Sequence, residues 1–323
     1  MAELKHHNIT ANGINMHYVE AGSGPLVVMC HGFPESWYSW RHQINALADA
    51  GYRVVAPDQR GYGGTDAPEA IEDYTILHLV GDIVGLVQGL GKETAVIVGH
   101  DWGSPVAWTS AQLRPDIFRA VASLSVPVSA RGPFPPMKAA AQAFGDRFFY
   151  QLYFQKEGMA EHELQNDIPT TMRKMLFGAS GAIERSGGSF GTEGAPPASS
   201  FMLQFMPDPG DNLPDWLTTE DIEYFAGEFE KSGFRGGLNW YRNIDRNWSL
   251  TGAQQNLAIN QPALFVAGDR DVVPFSDEAE TAMRAMVPNL KDVIVLPGVG
   301  HWTQQEAPDA VNEALIGFLS GLD

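Results

Sequence analysis

Short apolar runs separated by amphipathic stretches occupy both ends of the chain. The runs Ile14 to Glu20, Leu26 to Cys30, Arg53 to Ala56, Thr94 to Val98, Ala120 to Val126, Ala263 to Ala267 and Asp292 to Leu296 predict strands. Between the second and third, Trp37, Trp40, Ile44, Leu47 and Ala48 fall on one face at spacings of three and four. That spacing predicts a helix from about Ser36 to Ala50. A second helix is expected from Ser104 to Leu113. A last one starts after Pro308, a residue suited to a first helical turn, and its face is Val311, Ala314, Leu315, Phe318 and Leu319. Strands alternating with helices predict an α/β fold, a mainly parallel sheet covered by helices.

The middle breaks this rhythm. From about Ala130 to Ala258 the strand signal vanishes, and Pro, Gly, Met and aromatic residues become frequent. Helices are expected near Met137 to Gln155, Glu161 to Leu176 and Thr219 to Lys231. Residues 178–194 contain six glycines and are expected to form a mobile loop. The region therefore reads as a helical cap over 130–258, inserted into a core made of 1–129 and 259–323.

Composition narrows the partners more than the fold. With 323 residues and 44% hydrophobic side chains, the chain can bury a large core. Its formal charge of −18, from 39 acidic against 21 basic residues, argues against nucleic acid and against an anionic membrane surface. Cys30 is the single cysteine and ends an apolar run, so it is expected to be a buried small side chain. The first residues carry no apolar signal segment, and no apolar run reaches the ~18 residues of a spanning helix. A cytoplasmic enzyme is the expectation, with no metal or organic cofactor.

The chemistry starts at Thr94-Ala-Val-Ile-Val-Gly-His-Asp-Trp-Gly103, an apolar strand running into a tight turn with Asp101 at its apex. Gly99 and Gly103 stand two residues either side, where a Cβ would clash as strand turns to helix. The same elbow, with serine at its centre, presents the nucleophile of the α/β-hydrolases. A carboxylate apex changes the chemistry. It is already ionised near neutral pH, so it can attack saturated carbon without a base.

The resulting ester needs a base, an orienting acid and an oxyanion site before it can turn over. His301, in Gly298-Val-Gly-His-Trp302, lies in a loop beyond the last predicted strand, where it can reach the carboxyl ends of the strands. The acid is Asp269 or Asp271 of Gly268-Asp-Arg-Asp271; spacing does not choose between them. The amides of Phe33, in His31-Gly-Phe-Pro34, and Trp102 are the candidate oxyanion donors. His31 and His100 flank tight turns and are expected to make local hydrogen bonds.

These residues resemble the α/β-hydrolase-fold epoxide hydrolases, and the match covers nearly the whole chain. It rests on His31-Gly-Phe-Pro-Glu-Ser-Trp37, Asp58-Gln-Arg-Gly-Tyr-Gly63, Gly99-His-Asp-Trp-Gly103 and Gly300-His-Trp302. Haloalkane dehalogenases share several of these motifs, so the discriminating segments are in the cap. Tyr150-Gln-Leu-Tyr-Phe-Gln155 and Leu238-Asn-Trp-Tyr-Arg-Asn243 look like the two epoxide-activating tyrosine segments. The resemblance implies an eight-stranded, mostly parallel sheet, catalytic Tyr150 and Tyr241, and Asp271 as the acid. It places Trp102, Gln151 and Phe154 near the substrate, and gives Tyr153 a packing role. It also implies a small apolar epoxide and water as partners, hydrolysis to a vicinal diol through an ester on Asp101, and a homodimer through the cap. Two other readings stand beside it. Dehalogenation is weakened by Phe33, where many such enzymes carry Asn, and by Trp102, where fluoroacetate dehalogenases usually carry Arg. A ligand-binding protein without turnover is weakened by the apparently complete set of nucleophile, base and acid.

Overall fold

The computed structural model describes residues 3–183, 195–254 and 257–322. Most of the loop expected over 178–194 therefore lies outside the described residues. One sheet organises the rest. Its strands are β1 (Lys5–Ala11), β2 (Ile14–Gly22), β3 (Leu26–Cys30), β4 (Arg53–Pro57), β5 (Ala95–His100), β6 (Phe118–Leu124), β7 (Ala263–Gly268) and β8 (Leu290–Leu296). They lie in the order β1-β2-β4-β3-β5-β6-β7-β8. β1 with β2 and β2 with β4 are antiparallel; the remaining pairs are parallel.

β1 is absent from the predicted strands. Its sequence, Lys-His-His-Asn-Ile-Thr-Ala, is polar because this edge strand is mostly solvent-facing. The available signal was the turn. Asn12 and Gly13 both have positive φ (48° and 81°) and join Ala11 to Ile14 as a tight hairpin. The inner strands are apolar throughout, because helices cover both faces of a parallel sheet: every residue of β3, β5 and β7 is buried. Alternation then sends Val28, Cys30 and Ile97 to one core and Val27, Met29, Val96 and Val98 to the other. Cys30 is fully buried and free, as expected, and burial pushes its thiol up.

Several helices are shorter than the periodicity predicts. The Ser36 to Ala50 stretch is a 3₁₀ turn, Trp37–Trp40, whose Tyr38 amide donates to Ser36 Oγ, followed by the helix Arg41–Asp49. The stretch Met137 to Gln155 is broken at Gly145 (φ 55°) into Pro136–Phe144 and Tyr150–Phe154. Glu161 to Leu176 is likewise two helices, Met159–Gln165 and Ile168–Gly178; Asp167 caps the second by accepting from the Thr170 amide at 3.1 Å. Thr219–Ser232 forms as predicted, on a Thr218/Asp221 capping box. The helices Ile76–Gly89, Arg235–Arg242 and Ile244–Leu250 were not predicted.

The helices between β6 and β7 sit over the carboxyl ends of the strands. The Trp240 indole donates to the Arg60 carbonyl, just beyond β4, at 3.1 Å. Asn247 Oδ1 accepts from the Ile76 amide at 2.8 Å. Among the described residues, no helix is long and apolar enough to cross a membrane.

Candidate active site

The chain turns from β5 into the helix Gly103–Leu113 through Asp101, whose φ of 49° lies in the left-handed region. That conformation is strained for a side chain with a Cβ, and the surroundings enforce it. A Cβ on Gly99 would run into the Gly103 carbonyl, and one on Gly103 into the Cys30 carbonyl. The turn must therefore be this tight, and it lifts the Asp101 carboxylate out of the end of the sheet.

Two groups converge on that carboxylate. The Phe33 amide donates to Oδ1 at 2.7 Å, and His301 Nε2 lies 3.3 Å from Oδ2. On its other side, His301 Nδ1 is 2.8 Å from Asp271 Oδ1, which also accepts from the Val273 amide at 2.8 Å. Asp269 is engaged elsewhere: its Oδ1 accepts from the Gly298 amide at 2.7 Å, which makes it a turn residue. The geometry thus separates two aspartates that spacing left together.

Electrostatics follow the geometry. Burial works to raise the Asp101 pKa, but the hydrogen bond and charge of His301, the charge of His100 and the Phe33 amide hold it below the ordinary carboxylate value. Burial works to lower His301, yet Asp271 and Asp101 push it well above the usual imidazole value. Both shifts favour a protonated His301 beside an ionised Asp101 in the resting site.

His31 and His100 make the local bonds expected of them. His31 Nδ1 donates to the Gly32 carbonyl at 2.9 Å, and its Nε2 accepts from the Gln59 amide at 3.0 Å. His100 Nε2 donates to the His301 carbonyl at 2.7 Å, while its Nδ1 sits 2.8 Å from Glu35 Oε2. Glu35, fully buried, was not singled out in the sequence although it follows His31-Gly-Phe-Pro34 directly. It also accepts from the Gly32 amide at 2.9 Å and so fixes the loop that presents the Phe33 amide.

Across a cleft from Asp101 stand Tyr150 and Tyr241, ring centroids 5.9 Å apart. Tyr150 opens the helix Tyr150–Phe154, and Tyr241 lies near the end of Arg235–Arg242. Burial first, and then the charge of Asp101, raise the Tyr241 phenol well above its ordinary value. Burial likewise raises Tyr150, against a hydrogen bond from Gln151. Both phenols are neutral donors over the working pH range.

The cleft is narrow, with a cavity volume of about 70 Å³. Asp101, His301, Tyr150, Tyr241, Phe33 and Phe154 line it, together with Pro34, Trp302 and the unpredicted Met175, Met202, Met206 and Val272. Two residues placed near the substrate by resemblance stand outside this lining. Gln151 turns its amide to the Tyr150 hydroxyl, donating at 3.0 Å. The Trp102 indole packs at right angles to Tyr241, centroids 5.1 Å apart, and lines a different cavity. Tyr153 is buried among the helices between β6 and β7 and donates to Glu163 at 2.8 Å.

Comparison with known proteins gives one answer. Residues 25–308 match the family model of the alpha/beta hydrolase fold. The chain is 45% identical to epoxide hydrolase A of Mycobacterium tuberculosis, over 98% of this chain and 97% of that protein. Its structure is similar to the crystal structure of epoxide hydrolase A from Mycobacterium thermoresistibile, with a TM-score of 0.92, 46% identity and 99% of each chain covered. It is also similar to epoxide hydrolase I of potato, Solanum tuberosum, with a TM-score of 0.87 and 34% identity, over 99% of this chain and 100% of that one.

Proposed function

Because this chain belongs to the α/β-hydrolase fold family and, within it, to the epoxide hydrolases, we propose that it opens an epoxide to a vicinal diol in two covalent steps. In the first, an Asp101 oxygen attacks one ring carbon from behind as the carbon–oxygen bond breaks. Tyr150 and Tyr241 hydrogen-bond the leaving oxygen, and one of them gives it a proton. An alkoxide is far more basic than a phenolate, so the transfer runs downhill. The phenolate left behind takes up a proton before the next turnover. Holding the small ring between two phenols also aligns it for in-line attack.

In the second step, esterified Asp101 no longer carries the charge that helped raise His301. The imidazole then gives up its proton more readily, through solvent to the phenolate of the first step, and becomes a base, held at Nδ1 by Asp271. It draws a proton from water, which attacks the ester carbonyl. The Phe33 and Trp102 amides receive the oxyanion, each worth ~3 kcal/mol in comparable sites. Collapse expels the diol oxygen, which takes the proton held by His301, and leaves Asp101 as a carboxylic acid whose proton passes back to the imidazole. The helical region 130–258 acts as a cap that brings both phenols and the apolar wall to a core that supplies nucleophile, base and acid.

The observation that carries this reading is the meeting of one carboxylate–imidazole–carboxylate array with two neutral phenols in a single apolar cleft. A departing halide needs no proton, so paired tyrosines favour an epoxide over a haloalkane. In a single turnover in oxygen-18 water, label is expected in the Asp101 carboxylate. Unlabelled protein with labelled diol would instead mean direct water attack, and halide release with epoxides untouched would overturn the choice of substrate.

A further inference from the structure

One half-buried carboxylate beside His301 has no part in these steps. Glu306 ends the short helix Thr303–Glu306. Its Oε2 accepts from the amides of Gly300 at 3.0 Å and Gly181 at 2.8 Å, and its Oε1 from the Trp302 amide at 3.0 Å. A single side chain thus holds the backbone on both sides of His301 and ties it to the segment that follows the helix Ile168–Gly178. The two backbones are in contact there. A Cβ on Gly300 would run into the Gly181 nitrogen, and one on Gly181 into the Gly298 carbonyl.

Other bonds cross the same seam. The His301 amide donates to the Ala179 carbonyl at 3.0 Å, the Trp302 indole to the Leu176 carbonyl at 2.7 Å, and the Arg270 guanidinium to the Gly181 carbonyl at 2.9 Å. Met175, Ala179 and Trp302 all line the cleft. Glu306 is distinct among these ties because it accepts three N–H groups at once, which two carboxylate oxygens can do. A glutamine has one accepting oxygen, and its NH₂ would face amide donors, leaving a poorly solvated N–H unpaired.

We infer that Glu306 is a positioning residue for His301, clamping the loop that carries the base to the cap-side segment 179–181 so that the imidazole is aimed for ester hydrolysis. The inference rests on the covalent mechanism proposed above. Glu306 makes no contact with Asp101 or the two tyrosines in this structure, so ester formation has no need of it.

The test is single-turnover kinetics with an aryl epoxide, following formation and decay of the ester by rapid quench and intact-protein mass. In Glu306→Gln, decay is expected to slow tenfold or more while formation stays within about twofold. In the steady state kcat and KM then fall together and kcat/KM is unchanged, a split that loss of folded protein does not produce. If the Gln variant is not recovered folded, Glu306→Asp, which keeps both accepting oxygens on a shorter arm, carries the same test with a smaller slowing of decay. Decay at the wild-type rate, or equal slowing of both steps, overturns the inference. Wild-type protein that forms no ester overturns the covalent mechanism itself and the role of Glu306 with it, and the wild-type control separates that result from the others.

Discussion

At Asp101 and His301 a pair of opposing pKa shifts suits the order of events proposed above. Asp101 is held below the ordinary carboxylate value and His301 well above the ordinary imidazole value of ~6.5. Attack needs ionised Asp101, which persists down into the acid range. Ester hydrolysis needs neutral His301, which is favoured only once Asp101 has lost its charge. The acid limb of kcat is therefore expected at higher pH than the acid limb of kcat/KM, and pH profiles of both parameters check it. Coincident limbs would count against this assignment. The stability term has the opposite sense. A raised His301 pKa stabilises the fold fully below ~6.5, and that contribution is lost as pH rises through the folded-state value. For the phenols, Tyr150→Phe and Tyr241→Phe are each expected to slow ester formation by about 10²-fold, the lower end for a general acid. The double variant should lose more than either, and decay of ester already formed should change little; rapid-quench measurement of the two phases checks this. Residue-scale chemistry was legible unevenly. The elbow was readable because sharp turning demands Gly99 and Gly103 around one polar apex. Spacing could not tell Asp271 from Asp269 because both follow the same strand; the family resemblance pointed to Asp271, and the position of His301 separates the two.

Elements place these residues, and the elbow is the tightest of them. Gly103→Ala puts a methyl group into the Cys30 carbonyl, main-chain atoms at the centre of the sheet that cannot move aside. A loss of about 1–3 kcal/mol or more is expected from such overpacking. Thermal or urea unfolding measures it, and ester formation should fall as well because Asp101 shifts. A variant of unchanged stability and activity would mean the elbow has slack. The helix Arg235–Arg242 shows why other elements escaped prediction. Two glycines near its start and Asn239 within it blur the apolar period, yet its residues 236–241 are all buried. Helix propensity argues against it and tertiary packing decides for it. Gly145 splits the helix predicted from Met137 to Gln155 in the opposite manner. The hydrophobic pattern runs on through a residue whose positive φ ends the helix. Tyr150 then starts a new helix, which turns it toward the cleft rather than along the first helix's face.

In the whole molecule the two halves of the proposed reaction fall to different parts of the chain. Asp101, His301, Asp271 and the Phe33 amide hang from the strand ends of the sheet, whereas Tyr150 and Tyr241 arrive on helices between β6 and β7. Periodicity made the sheet legible because burial on two faces writes continuous apolar runs. The meeting of the helices with the sheet left little in the sequence, because it includes an approach of glycine on glycine. A Cβ on Gly236 would run into the Gly61 carbonyl, and one on Gly61, at φ 88°, into Gly236. The Trp240 indole bond to the Arg60 carbonyl holds the same junction. Gly236→Ala is thus expected to lift the start of the helix Arg235–Arg242 off the core, drawing Tyr241 away from Asp101. Misplacement by ~1 Å can cost about 10² in rate, so ester formation should fall tenfold or more. Decay, performed by groups on the sheet, should stay within about twofold. Single-turnover phases separate the two, and the pattern is the reverse of that expected at Glu306, where decay alone suffers. Equal slowing of formation and decay in Gly236→Ala would show that the helices and the sheet do not divide the chemistry. A selective loss of formation would show that the cap's contact with the core sets how well the epoxide oxygen is held while Asp101 attacks.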